Sequence, residues 1–167
     1  MQYEKKDIFR NKKSLSKINK IAISGIVIAI YVVVMYFTHS FAFMQFQIRI
    51  ATSLYGLSAI FPFLILPMGL SNLISNTLMG GLGLPDMLGG AIVGIITSLL
   101  VYLISKYKFN DWFIALPIIF IPGFGVPIWL SYLLHIKYIV LVFSLLVGQI
   151  IPAILAVFLV KQLRKFY

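Results

Sequence analysis

From residue 21 to residue 160 the chain is a succession of apolar blocks, each close to the length of a bilayer-crossing helix and parted only by short proline, glycine or polar breaks. A hydrocarbon layer about 30 Å thick needs about 20 apolar residues in α-helix, and only helices or closed barrels satisfy the backbone inside it. Blocks of this length, without strand-like alternation, point to helices. The composition agrees: 61% of the 167 residues are hydrophobic and 11% charged, against about one quarter charged in a soluble domain. Mean hydropathy is +1.03. The length suits one domain with room for five to seven spans.

The breaks set the span count. A first span reads over 21–37 and ends in an aromatic and polar interface stretch, 36–47. The run 48–84 is too long for one helix, and Pro62 and Pro67 divide it into a hairpin of two short spans, because proline lacks the donor of an interior helix bond. The turn Gly80-Gly81-Leu82-Gly83 precedes a fourth span at 87–104, and a fifth runs over 112–134 after a polar loop at 106–111. The sixth covers 138–160. The expected fold is therefore an all-α integral membrane protein, a six-helix polytopic bundle preceded by a basic segment, 1–20.

Charge gives an independent check. Net charge is +10, and seven of the 14 basic residues fall in the first 20 positions. Six spans threaded from a cytoplasmic amino terminus place 12 of the 14 basic residues inside, leaving Arg49 and Lys137 outside. This obeys the positive-inside rule and puts both termini in the cytoplasm. The lysines of 1–20 suit anionic headgroups. They are not interleaved with aromatic stacking platforms, so no nucleic-acid partner is expected. Residues 1–20 read either as an amphipathic surface helix, with Ile8, Phe9, Leu15 and Ile18 among the lysines, or as a disordered topology signal. The first apolar segment is too long for a cleavable signal and lacks an A-x-A-like site.

Catalytic chemistry finds little support. There is no cysteine, and the acidic residues are Glu4, Asp7, Asp86 and Asp111, none near the middle of a span. Ion-coupled transport usually needs an intramembrane carboxylate. No G-x-x-x-x-G-K-[ST] loop is present, so uphill transport would draw energy from another protein. His39 and His135 stand at the outer ends of spans without metal-ligand spacing, and no serine has a nucleophile elbow. Neither an enzyme nor a cofactor or metal site is expected.

The polar residues inside the apolar blocks are the candidate site. Arg49, in Gln45-Phe46-Gln47-Ile48-Arg49-Ile50, reads as a snorkelling interfacial arginine or as a five-donor fork lining an outer pocket or holding Asp86. Asp86 follows Pro85 at the start of the fourth span, where a carboxylate answers free amides and the helix dipole. Asn72 and Asn76, four apart on the third span, share one face, and Gln149 lies inside the sixth near Ser144 and Gly148. Such amides serve as interhelical glue, or as donor-and-acceptor edges for a planar heterocycle. The stretch 122–127, with a proline at each end, reads as a kink or as unwound backbone lining a cavity. Ala22, Gly25 and Ala29 form a small-residue stripe that lets another helix approach, either within the bundle or on a partner.

Taken in order, the basic amino terminus, the small-residue first span, the Q-F-Q-I-R-I segment at 45–50 and the N-x-x-x-N-x-x-x-G-G-L-G-L-x-D stretch ending at Asp86 resemble the QueT family. The resemblance runs from about residue 21 to residue 163, and its specific parts are 45–54 and 69–90. Members are substrate-binding S components of energy-coupling factor (ECF) transporters, linked to uptake of queuosine precursors, which are 7-deazaguanine bases. It implies a six-helix S component of the cell membrane that captures a small-molecule substrate from outside and docks on an ECF module of one membrane subunit and two ATPases. It also implies that the stripe Ala22/Gly25/Ala29 faces that membrane subunit; the expected substrate set, Arg49, Asn72, Asn76, Asp86 and Gln149, follows instead from the polar groups that can reach one outer cavity, Gln149 lying deepest. Two positions depart from the family pattern, since Thr52 and Gln149 stand where acidic residues are expected, so the carboxylate partners that an amine-bearing deazaguanine would want are lost at both. A neutral, amide-rich site with one balanced charge pair suits a nucleobase-like ligand better than a strong cation or dianion. The competing readings are a structural membrane subunit of a cell-envelope complex without solute binding and, more remotely, an intramembrane enzyme.

Overall fold

A computed structural model describes residues 15–42, 47–80 and 82–166. The expectations for residues 1–14, the amphipathic surface helix among them, lie outside the described residues. All regular structure among the described residues is helical.

Among the described residues five helices are long and apolar enough to cross a membrane. The first, α1, spans Lys17–Phe37, four residues earlier than its apolar block, because the Ser16 hydroxyl accepts from the Asn19 amide and caps it. A four-residue helix, α2, follows at His39–Ala42. Helix α3 (Ile65–Ser75) is entered through a 3-10 turn at Pro62–Leu64 and continues into a π-helical segment, Asn76–Gly80. Then come α4 (Leu84–Lys106), α5 (Ala115–Leu134), which opens with a 3-10 turn at Asp111–Ile114, and α6 (Tyr138–Leu163).

The second of the expected spans, the first short arm of the hairpin, is corrected. It is a ten-residue 3-10 helix, Ile50–Ala59, lying against α4 and α6 and touched by α1. Here it is called the central helix. Its tighter coil rises about 2 Å per residue, so ten residues reach about 20 Å, some 5 Å further than the same residues in α-helix. It also packs closely, for a Cβ at Gly56 would lie 3.1 Å from the Ala156 carbonyl of α6. Three residues per turn eclipse positions i and i+3, so Arg49, Thr52, Tyr55 and Ser58 form one row, and all four are buried.

The six segments run alternately up and down. At one end the Ser105 hydroxyl donates to the Ala59 carbonyl at 2.7 Å, and Arg164 donates to Ser105 at 2.7 Å and pairs with Asp111 at 3.1 Å. The Lys20 ammonium lies over the Phe63 ring at this same end. Lys17 and Leu163 therefore stand on one side of the bundle. Among the described residues Lys17, Lys20, Lys106, Lys108, Lys161, Arg164 and Lys165 belong to that end, and Arg49 and Lys137 to the other.

The 122–127 stretch is not unwound. Helix α5 continues through Pro122 and Pro127, and since neither proline has an amide proton, the carbonyls of Ile118 and Gly123 lose their usual i+4 donors without the coil breaking. Helix α1 is peripheral: Val27, Tyr31 and Met35 are buried while Ala22, Gly25 and Ala29 are exposed on the opposite face. A Cβ at Gly25 would meet nothing within 4 Å. The stripe does not pack inside the bundle.

Candidate functional site

The polar row of the central helix meets α3, α4 and α6 inside the bundle. Gln47 adopts a left-handed φ of 44° two residues before the helix cap, Arg49. Arg49 is 5% exposed, so it does not snorkel. Its Nη1 donates to Asn72 Oδ1 at 3.3 Å and to Asn76 Oδ1 at 3.2 Å. The i,i+4 spacing of the two asparagines turns both toward one guanidinium.

Each asparagine passes the connection on through its amide nitrogen. Asn72 Nδ2 donates to the Tyr55 hydroxyl at 2.8 Å, and the Tyr55 and Tyr31 hydroxyls lie 3.3 Å apart. Tyr31 makes the one side-chain hydrogen bond from α1 to the rest of the bundle among the described residues. Asn76 Nδ2 donates to the Asp86 backbone carbonyl at 2.9 Å. Gly90, one turn further along α4, is required here, because a Cβ would overlap the Asn76 amide.

Gln149 joins from α6. Its Nε2 donates to the Gln47 carbonyl at 3.3 Å, and its Oε1 lies 3.0 Å from the Thr52 hydroxyl. That hydroxyl also lies 2.7 Å from the Arg49 carbonyl, and with one proton it serves one acceptor at a time.

Asp86 stands differently from the sequence expectation. Helix α4 is capped at Gly83 with no side-chain cap bond, and the Asp86 side chain instead accepts from the Trp129 indole of α5, Oδ1 to Nε1, at 3.0 Å. Its Oδ2 is buried without a hydrogen-bond partner. Asn76 bridges Arg49 to Asp86, accepting from the guanidinium and donating to the Asp86 backbone carbonyl.

The five expected residues Arg49, Asn72, Asn76, Asp86 and Gln149 are thus all buried and lie in one connected region. Three of them, Arg49, Asn72 and Gln149, line an enclosed cavity of about 10 Å³ together with Thr52, Tyr55 and Val93, with Pro122, Val126 and Leu145 completing its apolar side; Asn76 and Asp86 do not line it. That volume suits about one water molecule, whereas small-molecule sites are about 300 Å³ or more, so a ring-sized ligand requires the helices to part. Two larger grooves, about 350 and 380 Å³, are open and apolar on the outer surface, at α4/α5 and α1/α3. They lie away from the polar region.

Three site residues are new from the structure. Tyr31 and Tyr55 carry no signal in an apolar span beyond ordinary packing, although 49, 52, 55 and 58 recur with period three. Trp129 reads from sequence as one more aromatic near a membrane interface.

Comparison with known proteins identifies one family: the model described as QueT transporter matches residues 21–165. No curated protein and no solved structure matches the chain.

Proposed function

The chain belongs to the QueT transporter family, and on that premise we propose that it is the substrate-capture S component of an ECF importer, binding a queuosine precursor or related 7-deazaguanine from outside the cell. The family match and the five candidate spanning helices make it a membrane transport protein. The finer reading rests on one observation. A buried guanidinium, an asparagine and a glutamine, Arg49, Asn72 and Gln149, line one small cavity inside the bundle, with Asn76 bonded to the same guanidinium behind it, and neutral amides read the donor and acceptor edges of a planar base without burying further charge.

The substrate set is Arg49, Asn72, Asn76, Asp86 and Gln149, with Tyr55 and Thr52 behind it. The exposed stripe Ala22, Gly25, Ala29 is the docking face for the membrane subunit of the ECF module, whose two ATPases supply the energy. The end bearing Lys106 and Arg164 is cytoplasmic and the Arg49 end faces outward, in the cell (plasma or inner) membrane, following the excess of basic residues on the first.

Two measurements test this. A tagged chain purified in mild detergent from membranes expressing the module should recover two ATPases and a large membrane subunit, and 7-deazaguanines should raise its melting temperature where vitamins and plain purines do not. Recovery of the chain alone, with no shift from any deazaguanine, refutes the assignment. Orientation is read by cysteine labelling, clean because the chain has no cysteine of its own. Tyr107 and Ile136 are exposed at opposite ends of the bundle. In intact cells Ile136→Cys should react with an impermeant thiol reagent and Tyr107→Cys should not. The opposite pattern inverts the topology.

A further inference from the structure

One of the two outer grooves ends in charge. The groove between α4 and α5 holds about 350 Å³, with Leu100 and Leu103 on one wall, Leu116 and Phe120 on the other, and Tyr107 and Phe109 closing its end. It runs about 10 Å along α4, from Tyr107 to Leu100. Tyr107, Phe109 and Trp112 are exposed at the closed end, as aromatic side chains at headgroup level are. The groove therefore starts at a membrane interface and leads into hydrocarbon, which is the course of a phospholipid acyl chain.

Two cations stand at the interfacial end. Lys106 and Lys108 alternate in the chain with Tyr107 and Phe109. The Lys106 ammonium lies over the Tyr102 ring, 5.8 Å from its centroid, which holds it against α4, and its position is about 60° around the helix from Leu103. Lys108 is placed by the backbone. The Phe109 amide donates to the Ile104 carbonyl at 3.1 Å and the Lys108 amide to the Ser105 carbonyl at 3.0 Å, closing α4 with Lys108 at a φ of 57°. That left-handed position usually belongs to glycine, so the turn itself gives no reason for a lysine. Neither lysine has a carboxylate partner among the described residues, because Asp111, the acid nearest in the chain, pairs with Arg164 at 3.1 Å. The groove at α1/α3 has no such end: no lysine or arginine adjoins any of its lining residues in the chain.

From this we propose that the α4/α5 groove seats one acyl chain of an anionic phospholipid, with the lipid phosphate held between Lys106 and Lys108. An apolar groove alone accepts any lipid tail. Two ammonium groups at its mouth, unneutralised by the protein, select a negative headgroup, and their attraction acts within a Debye length of the membrane surface. The assignment concerns lipid rather than transported solute and does not depend on the S-component reading.

Native mass spectrometry of the full chain tests it, with the protein released from detergent that contains equal amounts of phosphatidylglycerol and phosphatidylcholine bearing the same acyl chains. The wild type should retain one phosphatidylglycerol at least tenfold more often than phosphatidylcholine. In Lys106→Gln/Lys108→Gln the ratio should fall to within twofold of one. The control Lys161→Gln/Lys165→Gln, at the same end of the bundle, should keep the wild-type ratio within twofold. Leu116→Trp fills the groove from an exposed position and should lower retention of phosphatidylglycerol at least fivefold at unchanged melting temperature. No preference in the wild type, a preference that survives Lys106→Gln/Lys108→Gln, or an equal loss in both lysine pairs overturns the site, the last by reducing the effect to diffuse surface charge. Retention unchanged by Leu116→Trp overturns the groove as the seat of the chain.

Discussion

Arg49→Ala is expected to lower ligand affinity at least a hundredfold, about 3 kcal/mol. The guanidinium does more than contribute its own donors. Through one nitrogen it holds the side-chain oxygens of Asn72 and Asn76, whose amide nitrogens donate to the Tyr55 hydroxyl and the Asp86 carbonyl, so that it fixes the orientation of both amides. Removing it leaves two buried acceptors short of a donor. Asn76→Ala removes only one arm and should cost about 1–3 kcal/mol in binding. Arg49→Lys retains charge but loses the fork and should fall between. Isothermal titration of each variant, with melting and size-exclusion profiles to establish that it is folded, makes the comparison. Wild-type affinity in both alanine variants would remove this site from consideration, whatever the standing of the family assignment.

The second large effect falls on assembly. Gly25→Leu should reduce capture of the ECF module at least tenfold while ligand affinity of the isolated chain stays within about twofold of wild type. The isolated bundle has no reason to resist the change, because a side chain at 25 points into open space. A helix partner seated on Ala22, Gly25 and Ala29 does, since close backbone approach tolerates no branched side chain between the two helices. On the opposite face Tyr31, about 200° around from Ala29, ties α1 to the tyrosine–asparagine chain. The two faces of one helix are thus separable by mutation. Equal loss of binding and assembly, or assembly unaffected by leucine at both 25 and 29, would sink the docking assignment.

Both effects depend on where buried polar groups find partners. Arg49 was ambiguous as one charge near a span end, because snorkelling and pocket-lining share a sequence environment. Its burial decides between them, and that burial follows from a helix type invisible in an apolar ten-residue run, where periods of 3 and 3.6 differ by less than one position per turn. From sequence the Asp86 side chain belongs to its own helix end, because local capping is the default for a carboxylate beside Pro85. Trp129, 43 residues away, wins that oxygen through tertiary packing. The proline pair in α5 allows a kink or an unwinding by sequence, and the helix continues through both.

What the amino-acid order determined by itself was everything that scales with segment length and charge count: membrane residence, the alternation of six segments, the partition of basic residues between two ends, and the residue types of the polar cluster. These follow from the free energy of placing each residue in hydrocarbon or water, a property nearly independent of the neighbours that a fold supplies. Only the tertiary structure decided that the second segment is a slim 3-10 helix at the centre, that Asn76 bridges Arg49 to Asp86, that Trp129 leaves one carboxylate oxygen open, and that the small-residue stripe faces outward. Each of these is a choice among partners brought together from distant parts of the chain, and hydrogen-bond geometry a few ångströms across settles it.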